Sequence, residues 1–251
     1  MKNHPLPLLL ATVVGLGTII LSGRAEAYPS PPASITWGAA TNISGDTDVS
    51  TVGTRVAAFN LGNSAGAQPA TVNGVLFDPF VITGNPTSVG NFTLIETPGS
   101  LLGFNNFGSL SSPYAVLSPS YQTLLGSAAY ASSPPTLILT MSALTAGQQY
   151  QFEWWTNDSA HPNYTTTATA GTSVSLSDNT TNAPGGIGQF AIGTFMASAS
   201  VQTISFSGSL ASPTINAFEL RLLPEPSTLV LVIAGLASMG LVALHKKIRR
   251  A

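Results

Sequence analysis

QQYQFEWWTN, residues 148–157, decides the fold class. Tyr150, Phe152 and Trp154 alternate with Gln151, Glu153 and Trp155, a period of two that places the first three on one face of an extended strand and the others on the opposite face. The stretch is rich in aromatic residues that suit a pleated surface, and Asn157 and Asp158 close it. TINAFELRLL (214–223) repeats the pattern, with Ile215, Ala217, Glu219 and Arg221 on one face and Phe218, Leu220 and Leu222 on the other.

Working outward, eight further stretches read as strands: 34–38, 55–60, 71–77, 91–96, 136–144, 173–177, 188–197 and 201–208. Gly, Pro, Asn and Asp separate them. SPSYQTLLGSAAY (118–130) is different: Pro119 suits a first helical position and Gly126 a C-terminal cap, so one short helix is expected there. With no α/β alternation and no fixed-period repeat, the pattern predicts an all-β protein, a two-sheet antiparallel sandwich of jelly-roll type with one helix.

Charge narrows the partners. Only 7% of the 251 residues are charged. Between Tyr28 and Leu223, Arg55 and Arg221 stand against eight acids, a net charge of −6 that would repel a phosphate backbone, so no nucleic-acid partner is expected. There is no cysteine, hence no disulfide and no thiolate nucleophile or ligand, and a span of this length must rely on its hydrophobic core.

The ends carry address signals. Lys2, the apolar run from Leu6 to Leu21 and the Ala25-Glu26-Ala27 site before Tyr28 follow the plan of a secretory signal peptide, residues 1–27. At the other end Thr228–Leu244 is uncharged and apolar, about 26 Å long as a helix and enough to cross a thin bilayer core. His245, Lys246, Lys247, Arg249 and Arg250 follow at 245–250 and would hold the tail on the cytoplasmic side. Just before the span, Pro224, Glu225 and Pro226 enforce an extended, accessible segment.

This order of parts, Pro-Glu-Pro, apolar helix and basic cluster over residues 224–251, resembles the PEP-CTERM sorting signal. The resemblance implies recognition of Pro224, Glu225 and Pro226 by exosortase, a membrane-embedded cysteine protease-transpeptidase of Gram-negative bacteria. It also implies export across the inner membrane to the cell surface, outer membrane or extracellular matrix, and an association with exopolysaccharide and biofilm. Before processing, the C-terminal helix would tie the chain to the membrane. The ectodomain, residues 28–223, resembles the galactose-binding-like jelly-roll modules of such surface proteins through TVNGVLF, SPSYQTLLGSA, LTAGQQYQFEWWTNDS and INAFELR. That likeness implies a binding or structural module and transfers no ligand site.

Within the ectodomain, Trp155, with Asn157 and Asp158 at the end of its strand, is the candidate polysaccharide contact, while Trp154 is expected in the core. Asp46 and Asp48, two apart in a Gly-bearing loop, are candidate ligands for a structural calcium, against the alternative of a turn whose carboxylates bond their own backbone; no other cofactor is expected. GNSAG (62–66) matches G-x-S-x-G but lacks a following helix pattern. His161 lies within three residues of Asp158 and Ser159, a spacing that reads as a surface loop because triads assemble from distant segments. APGGIGQF (183–190) has no helix or cation after it to make a phosphate loop. The expected protein is therefore not an enzyme. The alternative is a secreted carbohydrate-active enzyme drawing two carboxylates from Glu96, Glu153, Glu219 and the aspartates.

Overall fold

The computed structural model describes residues 32–131, 136–161, 163–208 and 212–224. The signal peptide, Glu225, Pro226, the apolar span and the basic tail lie outside the described residues. Among the described residues no helix is long and apolar enough to cross a membrane.

The first half of the chain holds strands β1 (Thr36–Trp37), β2 (Thr41–Asn42), β3 (Thr54–Gly62), β4 (Ala70–Val72), β5 (Val75–Val81), β6 (Thr87–Val89), β7 (Phe92–Thr97) and β8 (Leu101–Phe104). Helix α1 (Pro119–Leu125) follows, then β9 (Ala128–Ala131), β10 (Thr136–Met141), β11 (Gln149–Thr156), β12 (Thr165–Ala170) and β13 (Thr172–Ser177). The chain ends with β14 (Gln189–Met196), β15 (Gln202–Gly208), β16 (Thr214–Ile215) and β17 (Ala217–Leu222).

These strands form the expected all-β sandwich. One sheet runs β1-β14-β11-β17-β3-β5-β4, with β2 also paired to β14; the other runs β13-β12-β15-β10-β7-β6. From β10 onward the chain passes back and forth between the sheets, which is how a jelly roll winds. A short third sheet, β16-β9-β8, flanks them. One isolated parallel bridge joins Ile35 and Gly171, and among the described strands all ladders are antiparallel except β3 with β5. That exception comes from a hairpin: TVNGVLF is not one strand but β4, a turn at Asn73 (φ 49) and Gly74 (φ 76), and β5. The turn reverses the chain and lays β5 alongside β3 in the same direction.

Side chains from the two inner faces build the main core. Leu137, Leu139 and Met141 of β10 meet Ile204 and Phe206 of β15 on one sheet; Tyr150, Phe152 and Trp154 face them from the other. Trp154 packs edge-on against Phe206 with ring centroids 5.0 Å apart. A second core lies on the opposite face of the larger sheet, where Trp155, Phe77, Ala58 and Ala217 are covered by Tyr121, Leu124 and Leu125 of α1 and by Ile43 and Val49. The larger sheet is therefore buried on both sides along β11 and β17, while the outer face of the smaller one is left to water.

Candidate functional site

Two buried asparagines set the local backbone. Where β11 ends, the backbone N–H of Asn157 donates to Asn216 Oδ1 (2.6 Å) and its side chain donates to the carbonyl oxygens of Phe107 and Leu125. Asn216 interrupts the predicted strand 214–223, separating β16 from β17, and its Nδ2 donates to the carbonyls of Leu125, Ser127 and Asn157 at 2.8–3.1 Å. Buried backbone groups need such partners, and one amide here serves three carbonyls on two segments.

From that anchor the chain turns outward. Asp158 Oδ1 accepts the backbone N–H groups of Ala160 and His161, both at 3.1 Å, and the carboxylate lies 2.9–3.0 Å from His161 Nδ1. The Asp158 backbone donates to the carbonyl of Asp178 (2.7 Å), and Asp178 Oδ1 accepts the backbone N–H of Tyr164 (2.7 Å). Asn179 Nδ2 ties the same two loops together by donating to the carbonyls of Asp158 and His161. The third sheet supplies the facing wall: Phe104 of β8 and Tyr130 of β9 meet edge-on at 5.9 Å.

Between loops and wall is a cleft of about 310 Å³ whose lining includes Phe104, Tyr130, Tyr164, Asp158, His161 and Asp178, together with the neutral Asn106, Phe107, Ser212 and Thr214. His161 is about half exposed (54%), whereas Asp178 is only 2% exposed. Burial, aided by the neighbouring Asp158 charge, pushes the Asp178 carboxyl up to about 7, against the Tyr164 N–H and His161, which lower it. The arrangement offers aromatic surface on one side and hydrogen-bond acceptors on the other, as small-molecule sites do.

Of the sequence-predicted residues, only Asp158 reaches this cleft. Trp155 is fully buried beneath α1, donating from Nε1 to the Tyr121 hydroxyl (3.0 Å), so it presents no face to a sugar. Asn157 is likewise fully buried and acts in the backbone network. Trp37 is half-buried and donates to the Thr172 carbonyl (3.2 Å).

In the candidate calcium loop both carboxylates accept protein donors. Asp48 Oδ2 accepts the backbone N–H groups of Ser44 (2.7 Å) and Gly45 (3.0 Å) and the Tyr121 hydroxyl, and its Oδ1 accepts the Ser44 hydroxyl (2.6 Å). Asp46 Oδ1 accepts from Ser118 Oγ (2.6 Å). The two carboxylates serve separate protein donors and build a turn, and no cluster of three or more His, Cys, Asp or Glu side chains that could hold a metal occurs among the described residues. Glu153 and Glu219, two of the candidate carboxylates for an enzyme, are 1% and 0% exposed because the segment 43–53 covers them: Ser50 N–H donates to Glu153 (3.0 Å), and Arg221 pairs with Glu219 while donating to the carbonyls of Thr51, Val52 and Gly53.

GNSAG forms a turn held by Asn63, with no helix after it. Ser159 Oγ bonds Asn157, so His161 has Asp158 as its partner and no serine. Sequence reasoning missed Phe104, Tyr130, Tyr164 and Asp178. Only Asp178-Asn179 after a strand gave a local signal, that of a turn.

No family model and no curated protein matches the chain. Among solved structures, β-glucuronidase 2 of Bacteroides uniformis bound covalently to cyclophellitol-6-carboxylate aziridine aligns at 13% identity and TM-score 0.41. A second Bacteroides uniformis β-glucuronidase aligns at 12% and 0.40. Each match covers 67% of this chain and 18% of the glucuronidase, so the chain spans less than a fifth of those enzymes. A structure described as the basis for promiscuous specificity in carbohydrate-binding modules of the β-sandwich superfamily aligns at 10% identity and TM-score 0.18, covering 74% of this chain and 99% of that one. Matches this distant say nothing of its activity.

Proposed function

We propose that this is an exported, non-enzymatic surface protein, sorted by exosortase through a C-terminal PEP-CTERM signal, whose sandwich contacts extracellular polysaccharide through the Phe104–Tyr130–Asp158 cleft. The observation that carries the reading is the pair of address-like termini around an all-β ectodomain. The cleft supports the polysaccharide part, since aromatic rings stack on the apolar faces of pyranoses and carboxylates accept their hydroxyls. Mass spectrometry of the surface fraction tests the sorting: the mature product is expected to begin near Tyr28 and to lack Lys246–Arg250, and an intact basic tail on surface protein would refute cleavage.

A hydrolytic reading has one observation in its favour. Asp178, raised to about 7, lies in the same cleft as Asp158, and two carboxyl groups in unlike environments are what a general acid and its partner require. Reducing-end release from β-linked oligosaccharides decides between them: the binding reading expects none, whereas turnover lost in both Asp158→Asn and Asp178→Asn establishes an enzyme.

A further inference from the structure

The cleft contains two carboxyl groups and one imidazole, and that imbalance restricts what it can hold. The only guanidinium groups among the described residues are engaged elsewhere, Arg55 with Asp78 and Arg221 with Glu219. His161 is the one cleft residue able to carry positive charge, and its Nδ1 faces Asp158. Asp178 forms no ion pair among the described residues and accepts only neutral backbone donors, those of Tyr164 and of its own residue. An anionic sugar would meet two acids with a single imidazole to answer them. A neutral sugar would gain ordinary hydrogen bonds and leave Asp178 without a counter-charge.

We propose that the cleft takes a saccharide bearing a free, protonated amino group, its ring against Phe104 and Tyr130 and its ammonium toward Asp158 and Asp178. The step rests on the saccharide reading above and adds the charge of the ligand. An ammonium gains charge-assisted hydrogen bonds from carboxylates and is attracted to aromatic faces, so the aromatic and carboxyl walls of the cleft favour it. Proton linkage follows. Burial first, then Asp158, push the Asp178 carboxyl up to about 7, against Tyr164 N–H and His161. A bound cation stabilises the carboxylate, so binding below that pH releases a proton, and affinity rises as pH increases toward 7. The other carboxyl and the imidazole facing the site are those of Asp158 and His161, whose Nδ1 lies 2.9 Å from the Asp158 carboxylate.

Calorimetry on the full-length chain with four probes tests this: the β-1,4 disaccharide of glucosamine, its N-acetylated counterpart, cellobiose and ethanolamine. The glucosamine disaccharide is expected to bind about tenfold more tightly than either neutral disaccharide, with proton release at pH 6 seen as a dependence of the heat on buffer. Asp178→Asn, shown to be folded by circular dichroism, is expected to lose that preference while still binding cellobiose. If it does not fold, the four-probe comparison on the wild-type chain decides alone. Equal or tighter binding of the neutral disaccharides, or a preference unchanged in Asp178→Asn, overturns the inference and leaves the saccharide reading standing. Ethanolamine binding as tightly as the glucosamine disaccharide supports the cation site and removes the saccharide reading. Binding of none overturns both.

Discussion

Tyr121 has a buried hydroxyl with two partners, accepting from Trp155 Nε1 (3.0 Å) and donating to Asp48 Oδ2 (3.3 Å). Burial pushes its ionisation well above the ordinary tyrosine value, so it stays a neutral donor at any working pH. Tyr121→Phe leaves the Trp155 indole N–H unsatisfied inside the second core, and a loss of about 1–3 kcal/mol is expected from urea denaturation. Glu153 has the opposite vulnerability. Burial first, then Glu219 and Asp48, raise its carboxyl well above 4.5, against the Ser50 N–H and Arg221. The folded state therefore prefers the neutral acid, and the unfolded chain releases its proton first as pH rises. Stability from this group is full below 4.5 and declines as pH climbs toward the folded value; Asp178 acts likewise between 3.8 and about 7. Glu153→Gln, neutral at every pH and still offering Ser50 an acceptor, should reduce the fall in stability as pH rises above 4.5. An unchanged slope would show that the carboxyl is ionised in the fold. Alternation marked Glu153 as facing away from Trp154, which is correct, but could not say that another segment would cover that side.

At the scale of elements, sequence signals held wherever they were local. Ser118 Oγ accepts the N–H of Tyr121 (3.1 Å), Pro119 opens α1 and Gly126 caps it, as the residues imply. The same hydroxyl donates to Asp46, which fastens the 43–53 segment to the helix. Ser118→Ala removes both bonds, and a cost of about 1–2 kcal/mol is expected, more than that of an isolated exposed cap, with Ser118→Thr recovering part of it. Asn73-Gly74 was an equally local signal for a hairpin, hidden because the apolar residues on either side read as one strand. The walls of the cleft were not legible for a different reason. Phe104, Tyr130 and Asp178 lie on β8, on β9 and just beyond β13, and only the pairing of β9 with β8 and β16 brings Phe104 and Tyr130 opposite the 157–164 loop. Nothing in the spacing of those residues announces a pairing between distant segments.

The whole molecule explains why so few charges suffice. On the smaller sheet, Ser175, Thr167, Ser207, Thr136 and Thr97 lie side by side across five strands, and the acid on β7, Glu96, is buried. Hydroxyls solvate that face, a pattern that the alternation of residues along β10 and β15 already carries. Topology also fixes which part of the C-terminal region belongs to the fold. β17 lies between β11 and β3 in the larger sheet, and its Phe218 and Leu220 sit in the main core. Leu223 still donates its backbone N–H to Gln149 (2.9 Å), whereas Pro224 is exposed. The last backbone hydrogen bond of the described fold therefore falls at Leu223, next to Pro224. A chain ending at Pro224 is expected to unfold within about 0.5 kcal/mol of the full-length protein, since only residues beyond the last ladder bond are removed. A chain ending at Asn216 loses β17, exposes the facing edges of β11 and β3, and should show no cooperative unfolding transition. Thermal denaturation followed by circular dichroism distinguishes the two. A large loss of stability in the Pro224 truncation would mean that the segment after it packs on the sandwich, and cleavage at the motif would then cost the mature protein its fold.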